Sequence, residues 1–345
     1  MTAPLPHAAG GPLPRGDDGA APHGDDAVLP FQLDRPDMRG RTARLDAALE
    51  RMLRDHAYPR PVAGLLAEAA LLTALIGQTM KLRWRLSLQV RGEGAVRLIA
   101  TDWFAPKEPG GPAEIRAYAG FDAGRLAEGP AFAQLGRGYF AMIVDQGAGT
   151  APYQGLTPLT GGSLAASAEA YFAQSEQIAT RFALAAAEEV GPGGVGRWRA
   201  GGLMLQHLPQ AAEGHGGGGS GEDGLLTAGD VAAMGGRVED WTRVNLLLDT
   251  VETHELLGPL VAPEDLLFRL FHEERPRVWP AAPVRFGCTC SAEKVTAALA
   301  QYSAKDIRTM TDARGRVTAD CQFCGARYDF APEALGFEAQ GSDPG

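Results

Sequence analysis

The sequence predicts an α+β protein: an N-terminal, mainly antiparallel sheet domain with packed helices, a helical linker, and a small cysteine-bearing C-terminal domain. Three observations predict it. Period-two apolar patterning recurs across 82–146 and again across 178–208. Helical periodicity flanks the first of these blocks and returns alone over 237–271. All four cysteines fall between Cys288 and Cys324.

Taken in order, residues 1–35 are rich in Pro, Gly, Ala and Asp and read as a disordered tail, offering too little apolar surface to offset ordering entropy. A helix is expected over 43–57, through Leu45, Leu49 and Leu53, and a second over 62–80, through Leu65, Ala69, Leu72 and Ile76. In 82–90 the side chains of Leu82, Trp84, Leu86, Leu88 and Val90 alternate with polar ones, the pattern of a half-buried strand ending at Gly92-Glu93-Gly94. Further strands are expected at 95–103, 113–121 and 138–146, antiparallel because short connections join them. A helix over 163–175 takes Ser163 as its N-cap. Two strands, 178–188 and 197–208, meet at the turn GPGGVG. The core domain thus spans 36–210. A glycine-rich insertion and helical linker fill 211–280, with Trp241, Val244, Leu248 and Val251 at helical spacing and another helix starting near Pro263. The cysteine domain spans 281–335, and 336–345 is a tail.

Composition narrows the function class. The chain has 345 residues, 45% hydrophobic and 21% charged, with a formal net charge of -10. That balance argues against a general nucleic-acid binder, which needs a basic footprint. No secretory start is visible, and the most apolar run, Leu65–Gly77, is too short for a membrane span and carries Glu68. The expectation is a soluble, cytoplasmic protein with no membrane or specific nucleic-acid partner. Thiols stay reduced in that compartment, so clustered cysteines suggest metal or redox chemistry.

The cysteines read Cys288-Thr-Cys290, then 30 residues, then Cys321-Gln-Phe-Cys324. Four thiolates in two close pairs suit one tetrahedral Zn2+, with Gly325 easing the turn after the last ligand. Small buried hydrophobes are the alternative, though random placement rarely gives two such pairs. By spacing alone, a structural zinc site is favoured over a redox switch, and both stay open.

The chain resembles the HslO family of redox-regulated chaperones, also called heat shock protein 33. The resemblance rests on the two cysteine pairs together with Gly138-Tyr139, Tyr153-Gln154-Gly155, Glu169 to Phe172, Ser175-Glu176-Gln177, Ala200 to Gln206, Leu267 to Glu274 and Phe286 to Cys290, in one order along the chain. It implies a cytosolic holdase working without ATP, inactive while reduced and zinc-bound. Oxidation would join Cys288–Cys290 and Cys321–Cys324, zinc would leave, and the switch domain and linker would loosen. Exposed apolar surface would then hold unfolding client proteins, and the active form would dimerise. Trp241, Val244, Leu248 and Val251 are linker and client-binding candidates on this reading, although such a stripe more often simply packs. The N-terminal 35 residues and the stretch near 209–224 depart from a compact family member.

Other signals carry less. Gly191-Pro-Gly193-Gly-Val-Gly196 matches a dinucleotide fingerprint as a string but lacks the helix that must follow it. His254 and His272 are not needed once four thiolates fill the shell. Asp25-Asp26 and Glu273-Glu274 read as solvated carboxylates without catalytic context. A zinc-ribbon RNA or translation-associated binding protein is the alternative function, but 281–330 holds seven basic against five acidic residues, a weak excess. A thiol oxidoreductase built on Cys321 and Cys324 would place that pair at a strand-to-helix junction. No enzyme activity is expected.

Overall fold

The helix α2 (Arg60–Gly77) is buried along nearly its whole length, and the sheet is built around it. A computed structural model describes residues 25–34, 38–190, 196–207 and 228–335. The first 24 residues, most of the GPGGVG turn, the glycine-rich stretch and the final ten residues lie outside these.

The strands β1 (Ala27–Leu33) and β2 (Met38–Leu45) open the fold, followed by α1 (Ala47–Leu53) and α2. Next come β3 (Arg85–Gly92), β4 (Val96–Phe104), β5 (Ala113–Phe121), β6 (Gly138–Asp145) and β7 (Tyr153–Pro158). The helix α3 (Leu164–Tyr171) has Ser163 as its N-cap, the hydroxyl accepting from the Ala166 amide, and it runs on into a wider turn over Phe172–Glu176. Then β8 (Thr180–Val190) and β9 (Gly196–His207) pair antiparallel. The linker carries α4 (Ala228–Leu248), α5 (Thr253–Leu257) and α6 (Pro263–Phe271), and β10 (Pro276–Val278) and β11 (Ala282–Phe286) return to the sheet.

The sheet runs β7-β6-β3-β4-β5-β11-β1-β2-β9-β8, with β10 also on β1. Every pair is antiparallel except β11 with β5. One face meets α2, with Leu66, Leu71, Leu75 and Ile76 against Leu86, Ile115, Phe140 and Met204. By length and composition α2 could cross a membrane, but it is the core helix here. Gly77 has no room for a side chain, because a Cβ there would lie 2.4 Å from the Trp103 ring. The other face of β1, β2 and β9 is covered by the linker helices: Val244, Leu248, Leu266, Leu267, Leu270 and Phe271 pack on Leu29, Phe31, Leu33, Met38, Leu203 and Leu205.

Four expectations are corrected. The tail does not reach residue 35: Val28, Phe31 and Leu33 are buried in β1, inside the sheet. Pro30 is tolerated mid-strand because its oxygen accepts from the Trp279 amide, so its nitrogen faces the break between β10 and β11. The helix expected from 43 begins only at Ala47, since Ala43–Leu45 finish β2. Leu45, Leu49 and Leu53 are all buried across that junction, so their spacing imitates one helix. The cysteine domain starts after Phe286 rather than at 281, because β11 belongs to the main sheet. Nor are the paired carboxylates free: Asp25 binds Arg199 at 2.7 Å and Glu274, 2% exposed, binds Arg243 at 2.8 Å.

Two arginines fasten the linker to the sheet. Arg44 of β2 donates to the carbonyls of Leu256, Glu255 and Val261 at 2.9, 2.8 and 2.6 Å. Arg199 of β9 donates to the Leu257 carbonyl at 3.2 Å and to Asp46 at 2.9 Å. The carbonyls of Glu255, Leu256 and Leu257 end α5, where a cation also suits the helix dipole. At its other end α5 has a capping box between Glu252 and Glu255.

Candidate metal centre

β11 hands the chain straight to the first cysteine pair. The Gly287 amide donates to the Ile115 carbonyl at 3.0 Å, so Cys288 leaves from the edge of β5. Ser291 then caps α7 (Ala292–Leu299), ending the Cys288–Cys290 loop, and Ser303 with Asp306 forms a capping box for α8 (Ala304–Met310). The hairpin β12 (Val317–Asp320) and β13 (Arg327–Phe330) holds the second pair at its tip. There Gly325 donates to the Cys321 carbonyl at 2.8 Å, with a φ of 68° that glycine adopts without strain. The only fully buried apolar side chains of this segment are Ile307, Val317 and Leu335, among the described residues. So small a core leaves room for a metal to contribute folding energy.

All four thiols are free and half-buried, and their sulfurs lie within 4.8 Å of one another. Cys288 and Cys321 are 3.6 Å apart, and Cys290 and Cys324 3.4 Å. A tetrahedron with Zn–S of about 2.3 Å needs sulfurs about 3.8 Å apart. The donor set fits such an ion in number, chemistry and spacing. Because every sulfur is near every other, these distances do not select one disulfide pairing.

The thiols differ electrostatically. Burial opposes ionisation of Cys290, but hydrogen bonds from Tyr328 (hydroxyl to Sγ, 3.1 Å) and from the other thiols outweigh it and bring it down to about 7. Burial pushes Cys288 and Cys324 up. A metal would hold all of them as thiolates.

One strand residue reaches the site. Arg116 of β5 sits with its guanidinium 4.0 Å from the Phe323 ring, between the second pair of cysteines, and donates to Thr289 Oγ1 at 3.3 Å, between the first. Its Nη1 lies 3.8 Å from Cys288 Sγ. The Nε and Nη2 atoms bind Asp102 of β4 at 2.7 and 2.6 Å, and Asp102 accepts in turn from Ser87 of β3. Neither Arg116, Phe323 nor Tyr328 stood out in the sequence. The one available signal was an arginine and a tyrosine, Arg116 and Tyr118, on the outward phase of a strand whose alternate residues are core.

Of the linker candidates, Val244 and Leu248 are fully buried and Trp241 and Val251 partly so, all against the sheet. Neither histidine lies with the sulfurs: His254 pairs with Glu252 at 3.1 Å, and His272 is 4.0 Å from Glu273.

The model of the Hsp33 protein family matches residues 26–331. The chain belongs to the Hsp33 family. It is 37% identical over 310 residues to the 33 kDa chaperonin of Caulobacter vibrioides, covering 88% of this chain and 93% of the relative. It is 34% identical over 302 residues to that of Ectopseudomonas mendocina, covering 87% and 90%. The crystal structure of the 33 kDa chaperonin (Heat shock protein 33 homolog) from Thermotoga maritima shares the fold, with a TM-score of 0.69 at 22% identity over 90% of this chain and 96% of that one. As an Hsp33 member the chain is a chaperone, not an enzyme.

Proposed function

We propose that this Hsp33 protein is a redox-regulated, ATP-independent holdase, held inactive by zinc on Cys288, Cys290, Cys321 and Cys324. The observation that carries the reading is the set of four free sulfurs within 4.8 Å of one another, in a segment with little apolar core. When bound, the metal supplies a cross-link between the two cysteine loops and keeps their thiols deprotonated.

Under a peroxide, Cys288 joins Cys290 and Cys321 joins Cys324. Each pair of thiolates gives up two electrons as its disulfide forms, and these, with two protons from the solvent, turn one peroxide into two waters while the metal ion leaves. The loops then lose their cross-link, and the segment behind them loosens. Release of the linker uncovers Leu29, Phe31, Leu203 and Leu205 on the sheet, Trp241, Val244 and Leu248 on α4, and Val251 just after it. That exposed apolar surface holds unfolding clients and favours a homodimer. The setting is the cytoplasm, where the thiols begin reduced.

The test follows zinc and aggregation together. Purified zinc-loaded protein is treated with peroxide at raised temperature, or with hypochlorous acid. It should release zinc and then suppress aggregation of a thermally unfolding client. Zinc release with client aggregation unchanged would refute the holdase, and zinc retained under strong oxidant would leave only a structural site.

A further inference from the structure

Ser87, Asp102 and Arg116 stand directly opposite one another on β3, β4 and β5 and form a single polar row across three strands. Ser87 and Asp102 are each only 5% exposed, although they lie on the side of the sheet away from α2. Such a row is costly to bury unless each member is paired. Here each one is, and the row ends at the cysteine loops. Arg116 is the only side chain in it that meets both loops, through Thr289 and the Phe323 ring. Tyr118, the next outward residue of β5, meets the same ring edge-on, with centroids 6.2 Å apart.

We infer that Arg116, with Phe323 as its aromatic partner, is a positioning pair that makes metal binding by the two cysteine loops and docking of those loops on the sheet one cooperative event. The inference rests on the four-cysteine zinc reading above. Asp102 fixes the guanidinium plane from one side, leaving Nη1 and one π-face for the loops. Phe323 is placed by the backbone between Cys321 and Cys324, and Thr289 by that between Cys288 and Cys290. Moving either pair of sulfurs moves a group seated on Arg116. Coupling of this kind is reciprocal, so docking strengthens the ligand set as much as the ligand set strengthens docking. Residues outside a ligand shell that orient it commonly change metal affinity by about 10–100-fold.

The decisive comparison uses full-length, reduced protein loaded with zinc and titrated against a chelator. Phe323→Leu keeps apolar volume but removes the π-face, and it should weaken zinc about 10-fold. Phe323→Trp keeps the face and should restore affinity toward the unaltered protein. Arg116→Lys keeps the charge but cannot grip Asp102 with a fork and lie flat on a ring, so it should match Phe323→Leu. The double variant should bind no worse than either single one, because both remove the same contact. Hydrogen exchange of the Gly287 amide should quicken in the weakened variants, while amides of α2 keep their protection and report an intact sheet domain. Unaltered zinc affinity in both single variants overturns the inference. So does Phe323→Trp behaving like Phe323→Leu, or additive losses in the double variant. Failure of the unaltered protein to bind zinc would instead refute the underlying zinc reading.

Discussion

Arg44 and Glu255 meet backbone to side chain: Nη2 of Arg44 donates to the Glu255 carbonyl at 2.8 Å, at a point where both residues are buried. The carboxylate of the same Glu255 is taken by Arg269 of α6. One residue of the linker is therefore tied to the sheet by its main chain and to the next helix by its side chain.

Replacing Arg44 by Met should strip the carbonyls of Glu255, Leu256 and Val261 of their partner while keeping the aliphatic stem. Buried acceptors left unpaired cost about 1–3 kcal/mol each before relaxation and water entry, so a net loss of about 3 kcal/mol is expected. Denaturant unfolding measures the loss, and limited proteolysis should find new cleavage within 252–262. An unchanged midpoint would show that the clamp carries no stability.

Cys321→Ser removes one of the proposed ligands without touching the sheet. The expected outcome is weaker zinc binding by chelator competition and faster hydrogen exchange across 288–330, with β3 to β6 protected as before. Native-like zinc affinity would count against this ligand set.

Asp26 caps α1 from a distance. Its carboxylate accepts from the amides of Asp46, Ala47 and Ala48 at 2.9, 2.9 and 3.0 Å. Asp26→Ala should cost about 1–2 kcal/mol, with Asp26→Asn close to the parent, because a side-chain oxygen is what the orphan amides need. Thermal unfolding of the two variants checks this. Equal stability of Ala and Asn would reject it.

Glu68 on α2 gives a pH signature. Burial pushes its carboxyl up to about 7, against an ordinary value of 4.5. Between these values the folded chain holds a proton that the unfolded chain has released, so stability falls as pH rises from about 4.5 to 7 and is level above. Glu68→Gln should flatten that segment and stabilise the protein at pH 8 by about 1–3 kcal/mol. Denaturation midpoints at pH 5 and pH 8 decide it, and a slope that survives the substitution assigns it elsewhere.

The elements legible in the sequence were those whose environment repeats. Leu86, Leu88 and Val90 alternate because one side of β3 meets α2, and the run from Leu65 to Ile76 is apolar on nearly every side, Glu68 and Thr73 apart, because α2 is enclosed. β1 was not legible, since Pro30 argues against a strand until its partners are known. β10 and β11 are too short for a period to show, and their pairing with β1 and β5 is set by distant residues. At the candidate centre, spacing brought out the cysteines, whose chemistry is local. Arg116 could not be read, because its role depends on Asp102, Thr289 and Phe323 arriving from three separate parts of the chain.

The position of β1 has a consequence for synthesis. Its partners on one side, β10 and β11, begin at Pro276, some 240 residues after β1 ends. A ribosome adding about 5–20 residues per second takes roughly 12–48 s to cover that interval. Throughout it, the nascent chain carries an open hydrogen-bonding edge in what will become the middle of its sheet. The two half-sheets can be joined only once β11 has been made, just before the first cysteine.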